Sequence, residues 1–223
     1  MARLARIVIP NIPHHVVQRG NRKQQTFFSE HDKAAYLDIL KRHFSASRSQ
    51  LWAYCLMSNH VHLIVVPSSV EGLAQGVGGM HQEYTNRVND REGWVGHLWQ
   101  GRFYSCPLDG PYLFRAIRYV ERNPVRAGIV RRAEDYAWSS ARAHVFGKQD
   151  PILADIKIRL RVPDWRAYLG EEAQSDTDEM RRHIKTGRPM GEAEFTGRLE
   201  ALTGRAIARK KPGPRGPRIN PEE

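Results

Sequence analysis

Two histidines separated by one residue, His60 and His62, stand in an apolar run over residues 60–66. Side chains alternate along a strand, so both imidazoles would emerge on one face, about 7 Å apart by backbone rise, close enough to meet one ion. Farther along, Tyr119 and Asn123 are four residues apart in a stretch with helical apolar spacing. One helical face would then carry a phenol and an amide oxygen together. Each pair also has a plainer account. Paired histidines can be core residues satisfied by hydrogen bonds, and Tyr119 with Asn123 can be a core-edge aromatic and a helix terminator before Pro124. Against the first stands the cost of burying two imidazoles side by side in an apolar strand without a shared partner, which a metal ion would supply.

The elements that must position these groups follow from patterning. Residues 14–19 (HHVVQR) form a short, partly β-branched run that stops at Gly20-Asn21, as a strand before a turn does. Ser29 and Asp32 make a capping box ahead of Tyr36, Leu37, Leu40 and Phe44 on one helical face, which predicts a helix over 30–46. Residues 50–57 and 60–66 read as a hairpin, apolar on successive positions and so covered on both faces. Ser68 with Glu71 would start a second helix through Met80, Tyr84 and Val88, weakened by Gly72, Gly76, Gly78 and Gly79.

Residues 102–106 (RFYSC) supply a fourth strand. The order β-α-β-β-α-β is the split βαβ arrangement, an α+β, ferredoxin-like or RRM-like core whose helices are expected on one side of the sheet. Asp109 can cap, and Pro111 open, an added third helix that carries Tyr119. Short helices are expected over 176–185 and 192–202, giving a helical, basic C-terminal extension. The divisions predicted are a core over 1–148, a helical extension over 149–204 with a possible DNA-binding role, and a disordered basic tail over 205–223. Residues 205–218 hold six Lys or Arg and no acid, interleaved with Pro and Gly.

Composition narrows the partner. The chain has 223 residues, enough for one well-buried core, and 35 Lys+Arg against 24 Asp+Glu leave a formal charge of +11. That balance points to a polyanion without separating DNA from RNA. Cys55 and Cys106 are too far apart for a Cys-based zinc site and suggest a reducing compartment. No membrane span and no signal-type leader is expected, which points to the cytoplasm.

Four motifs, VQRGNR (17–22), MSNHVHLIV (57–65), GHLWQGRFYS (96–105) and YVERNPVRAG (119–128), together resemble the REP-associated tyrosine transposases. These belong to the single-tyrosine HUH, or IS200-like, transposases. The resemblance covers about residues 5–145, with a weaker match in TGRPMG (186–191). It implies that Tyr119 is the nucleophile, that His60, His62 and Asn123 hold Mg²⁺ or Mn²⁺, and that the substrate is single-stranded or hairpin DNA such as a bacterial REP palindrome. Cleavage would pass through a 5′-phosphotyrosine link whose reversal joins strands without ATP. Asn123 precedes a proline, a position biased away from helical geometry, so its amide would serve the ion only after DNA or metal binds. The resemblance also places Arg126 near the site, where packing or capping explains it equally well.

For DNA contact the expected residues are Arg19, Asn21, Arg22 and Lys23 after the first strand, Arg102 near the fourth, Arg188 in the extension, and Arg209, Lys210 and Lys211 in the tail. Trp99 and Phe103 could stack on bases or belong to the core. The oligomer is expected to be a monomer or a homodimer, with no small-molecule substrate and a bacterial, nucleoid-associated location. The alternative function is a non-catalytic, ferredoxin-like regulator that binds nucleic-acid hairpins. A zinc nucleobase deaminase is disfavoured because His-x-Glu and Cys-x-x-Cys are absent, and there is no P-loop.

Overall fold

The computed structural model describes residues 6–154, 161–171 and 173–208. Strand β1 (His14–Arg19) leads to helix α1 (Glu30–Ala46), then to the hairpin of β2 (Gln50–Leu56) and β3 (His60–Val66), then to α2 (Gly79–Glu92) and β4 (Tyr104–Pro107). The strands form one antiparallel sheet in the order β2-β3-β1-β4, the expected ferredoxin-like topology. After the sheet come α3 (Gly110–Glu121), α4 (Asn123–Arg126), α5 (Ala141–Phe146), α6 (Trp165–Gly170), α7 (Gln174–Thr186) and α8 (Ala193–Thr203). Among the described residues, no helix is long and apolar enough to cross a membrane.

Local chemistry accounts for the start of α1. The Ser29 hydroxyl accepts from the Asp32 amide, and the Asp32 carboxylate accepts from the amides of Ser29 and Phe28. Arg91 of α2 pairs with the same carboxylate, so the cap also ties α2 to α1.

The beginning of α2 departs from expectation. Ser68 caps nothing; its hydroxyl donates to the Ser47 carbonyl, and a π-helical turn, Ala74–Gly78, precedes α2. The glycines are there for close approach to α1. A Cβ on Gly76 would meet Ser47 Oγ at 2.8 Å, and one on Gly79 would meet His43 Nδ1 at 2.9 Å.

The sheet is covered on both faces, which corrects the expectation of helices on one side. Tyr36, Leu40 and Phe44 of α1 and Met80, Tyr84 and Val88 of α2 pack on Val16, Leu63 and Val65. Ala53, Ile64 and Cys106 point the other way, onto Leu113, Ile117 and Val120 of α3. Strands as apolar as β2 and β3 need cover on each face, because either one left open would expose a row of aliphatic side chains. Trp165 and Leu169 of α6, Met180 of α7, and Met190 join the α3 cluster, while Phe195 and Leu199 of α8 pack with Ile7, Ile9 and Ile207.

Candidate active site

The pairing register sets His60 opposite Arg19 and His62 opposite Val17, so all four side chains stand on the α3 face of the sheet. The two imidazole centroids are 5.1 Å apart, with their planes nearly perpendicular at 82°. His15, two residues before Val17 on the same face, stacks on His62 at 5.1 Å. Its Nε2 lies 2.9 Å from His62 Nδ1. Patterning did not find His15, because the contact depends on which residue of β1 sits beside which residue of β3.

The hydrogen bonds fix the His60 tautomer. Asn59 Nδ2 donates to the Lys23 carbonyl, which turns Asn59 Oδ1 toward His60 Nδ1 at 2.6 Å. An oxygen acceptor there requires a proton on Nδ1, leaving the Nε2 lone pair toward the cleft. On His62, Nδ1 is tied to His15 and Nε2 makes no hydrogen bond among the described residues. Burial, followed by the charges of Arg19 and Arg126, lowers His60 to about 4. His62 is held well below its ordinary value, first by burial and then by His60, His15 and the two arginines. At neutral pH both rings are uncharged, the state in which imidazole ligates a metal.

Opposite the pair stands α3. Tyr119 is 8% exposed, and its ring meets His62 edge-on with centroids 5.6 Å apart. Asn123 follows one turn later, with Nδ2 3.5 Å from His60 Nε2. It remains helical, contrary to the expectation drawn from Pro124. The chain steps from α3 into α4 with that proline in the first turn, where its missing N–H is not needed. The amide is therefore beside the histidines. Arg126 completes the group, its guanidinium 4.0 Å from the Tyr119 ring centroid and Nη2 donating to the Tyr119 carbonyl at 2.5 Å.

Among the described residues no cluster of three or more His, Cys, Asp or Glu could hold a metal ion. The donor set here is two imidazoles and an amide, and it suits a divalent ion that draws its remaining ligands from phosphate and water oxygens.

These side chains line a cleft of about 430 Å³, together with Arg19, and α7 forms part of its wall. Asn21, Arg22 and Lys23 lie in an exposed 3₁₀ turn beyond β1, with left-handed backbone at Arg22 and Lys23. Arg102 borders a separate cavity of about 620 Å³, which Gln18 lines from the opposite face of the sheet. Trp99 and Phe103 beside it are buried in the core. Arg188 is not in the cleft: half-buried, it donates to the Ile207 carbonyl and closes the segment after α7. Arg209, Lys210 and Lys211 lie outside the described residues.

A family model described as IS200-like transposase matches residues 8–123. No curated protein matches the chain. Among solved structures, the chain is similar to the REP-associated tyrosine transposase bound to a REP hairpin, at 19% identity over 70% of this chain and 93% of that one, with a TM-score of 0.53. A Deinococcus radiodurans protein described as a transposase aligns at 17% identity over 57% of this chain and 92% of that one, with a TM-score of 0.36. At 19% identity the first likeness carries the fold alone.

Proposed function

The chain belongs to the family of IS200-like transposases, and from that premise we propose that it is a metal-dependent single-strand DNA endonuclease and strand transferase acting on hairpin DNA, with Tyr119 as nucleophile. The observation that carries this reading is the placement of the Tyr119 ring 5.6 Å from His62, across the gap between a helix and a strand.

In the first step the Tyr119 oxygen bonds to the phosphorus and the bond from phosphorus to the 3′ oxygen breaks. The phenol loses a proton and the leaving oxygen gains one, so the step is proton-neutral. A 5′-phosphotyrosine link and a free 3′-OH result. Because the link is still a phosphodiester, attack by another 3′-OH reverses the chemistry and joins a new strand. His60, His62 and Asn123 would hold Mg²⁺ or Mn²⁺, which when bound polarises a phosphate oxygen and spreads developing charge. Asn123 would present its oxygen by a half-turn of the amide. Arg126 fixes the Tyr119 ring and its carbonyl, while Arg19 adds positive charge at the cleft wall. A substrate of this class, a REP-type hairpin, is what the structural relative is bound to.

The test is incubation of labelled, hairpin-containing single strands with the protein and Mn²⁺, followed by mass mapping of any covalent adduct. The expected result is an adduct on Tyr119 that Tyr119→Phe and EDTA each abolish, while Tyr119→Phe keeps hairpin affinity. An adduct on another residue overturns the nucleophile assignment. Hairpin binding with no adduct on any strand would instead describe a non-catalytic regulator.

A further inference from the structure

Helix α7 is amphipathic in charge as well as in hydrophobicity. At 100° per residue, Thr177, Met180 and Ile184 form one inward stripe, and Thr177 and Met180 are buried in it. Asp176 and Glu179 lie along one flank; Arg181 and Lys185 lie along the other, where Arg181 Nη1 is also 3.5 Å from the exposed Asp178 carboxylate. The acidic flank meets α3: Arg118 pairs with Asp176 at 2.7 Å, and Arg115 lies 3.7 Å from Asp176 and 3.6 Å from Glu179. The basic flank meets the cleft, whose wall includes Arg181, Ile184 and Lys185 facing Tyr119, His60 and His62.

Both ends of α7 are held. Besides the ion pairs to α3, Gly187 ends the helix with φ of +69° close to the β4 backbone, where an added Cβ would reach Ser105 O at 3.4 Å. Met190 then exchanges backbone hydrogen bonds with that strand's end, its amide donating to the Pro107 carbonyl at 2.8 Å and its carbonyl accepting from Asp109 at 2.9 Å. The segment TGRPMG thus serves as a strap that sets α7 across the cleft.

We propose that the Arg181–Ile184–Lys185 face of α7 is a binding site for the phosphodiester backbone of single-stranded DNA, gripping the nucleotides next to the scissile phosphate. The identity of that phosphate rests on the function proposed above; the anion-binding surface does not. Among the described residues no carboxylate lines the cleft, and Arg19, Arg126, Arg181 and Lys185 all do. Four cations on the wall of one cleft make a concave, positively charged surface, which concentrates a polyanion. Ile184 offers an apolar shoulder for a sugar or base beside two cations one helical turn apart.

The experiment uses the full chain in a Tyr119→Phe background, where no cleavage confuses the binding. Affinity is measured against salt for a hairpin with a single-stranded arm crossing the cleavage position and for the same hairpin without the arm. Arg181→Ala/Lys185→Ala is expected to weaken binding of the armed hairpin about tenfold and to reduce its salt slope by about 1.4, at about 0.7 per cation on single strands. The armless hairpin should bind as before. Arg181→Lys/Lys185→Arg keeps both charges and should restore the affinity, and Arg182→Ala, which lies off the cleft, should change neither substrate. With Tyr119 present, the double alanine variant should raise KM more than it lowers kcat. Equal loss on both hairpins, an equal loss from Arg182→Ala, or no loss at all would each overturn the site. If the wild-type protein proves unable to cleave but the armed hairpin still depends on Arg181 and Lys185, the endonuclease reading falls and this surface stands.

Discussion

Arg126 lies over Tyr119 and holds it twice, its guanidinium 4.0 Å from the ring centroid and Nη2 on the Tyr119 carbonyl at 2.5 Å. One side chain thus restrains both the ring and the backbone of the proposed nucleophile. A cation over an aromatic face contributes about 0.5–2 kcal/mol. Arg126→Ala is expected to slow single-turnover cleavage by about 2- to 30-fold, at about 1.4 kcal/mol per tenfold, and to leave hairpin affinity within a few-fold. Arg126→Lys should recover part of the rate. Unchanged cleavage in Arg126→Ala would remove the orienting role.

The His15–His62 contact makes a separate prediction about metal. A partner on the far nitrogen sets the orientation of a ligating imidazole, and its loss typically lowers metal affinity by about 10- to 100-fold. His15→Ala should therefore weaken Mn²⁺ binding by that factor in calorimetry, while His14→Ala, whose ring bonds to the Ile12 carbonyl instead, should not. Circular dichroism shows whether each variant is folded. Equal Mn²⁺ affinity in folded His15→Ala and wild type would contradict the assignment.

The buried histidines, two of them away from the cleft, together set a pH dependence of stability. Burial lowers His14 to about 4 and His81 to about 3, from 6.5. Below about pH 6.5 the unfolded chain protonates these rings and the folded chain does not. Stability is therefore complete above that pH and falls as pH drops toward 4, with a slope of up to about 1.4 kcal/mol per pH unit for each group. Urea unfolding at pH 7.0, 5.5 and 4.5 should show a declining midpoint. A midpoint that does not move over that range would show that neither ring is held neutral.

Gly20 ends β1 where the chain doubles back. A Cβ there would sit 2.3 Å from the Gln24 carbonyl oxygen and 2.8 Å from Thr26 Cγ2. Backbone oxygen cannot move aside as a side-chain tip can, so Gly20→Ala should cost about 1–3 kcal/mol. Because the turn carries Asn21, Arg22 and Lys23, hairpin affinity should fall with it. Thermal melting and a binding titration on one sample check both. Full stability in Gly20→Ala would mean that the turn adjusts freely.

What the sequence determined by itself was whatever is local. Alternation in 60–66, the Ser29–Asp32 box and the Asp109–Pro111 start follow from neighbours a few residues apart, and they were enough to place the strands, α1 and α3 and to put His60 with His62 and Tyr119 with Asn123. Tertiary structure decided everything that joins distant segments. Strand register put His15 behind His62, packing bent the entry to α2 around Gly76 and Gly79, and a strap at Met190 laid the basic side of α7 along the cleft. It also turned Arg188 inward to the Ile207 carbonyl, although an exposed-looking arginine in a Gly-Pro turn reads as a DNA contact. The reason is physical: periodicity records which face of an element is apolar, whereas the partner of each polar side chain depends on which other element arrives there.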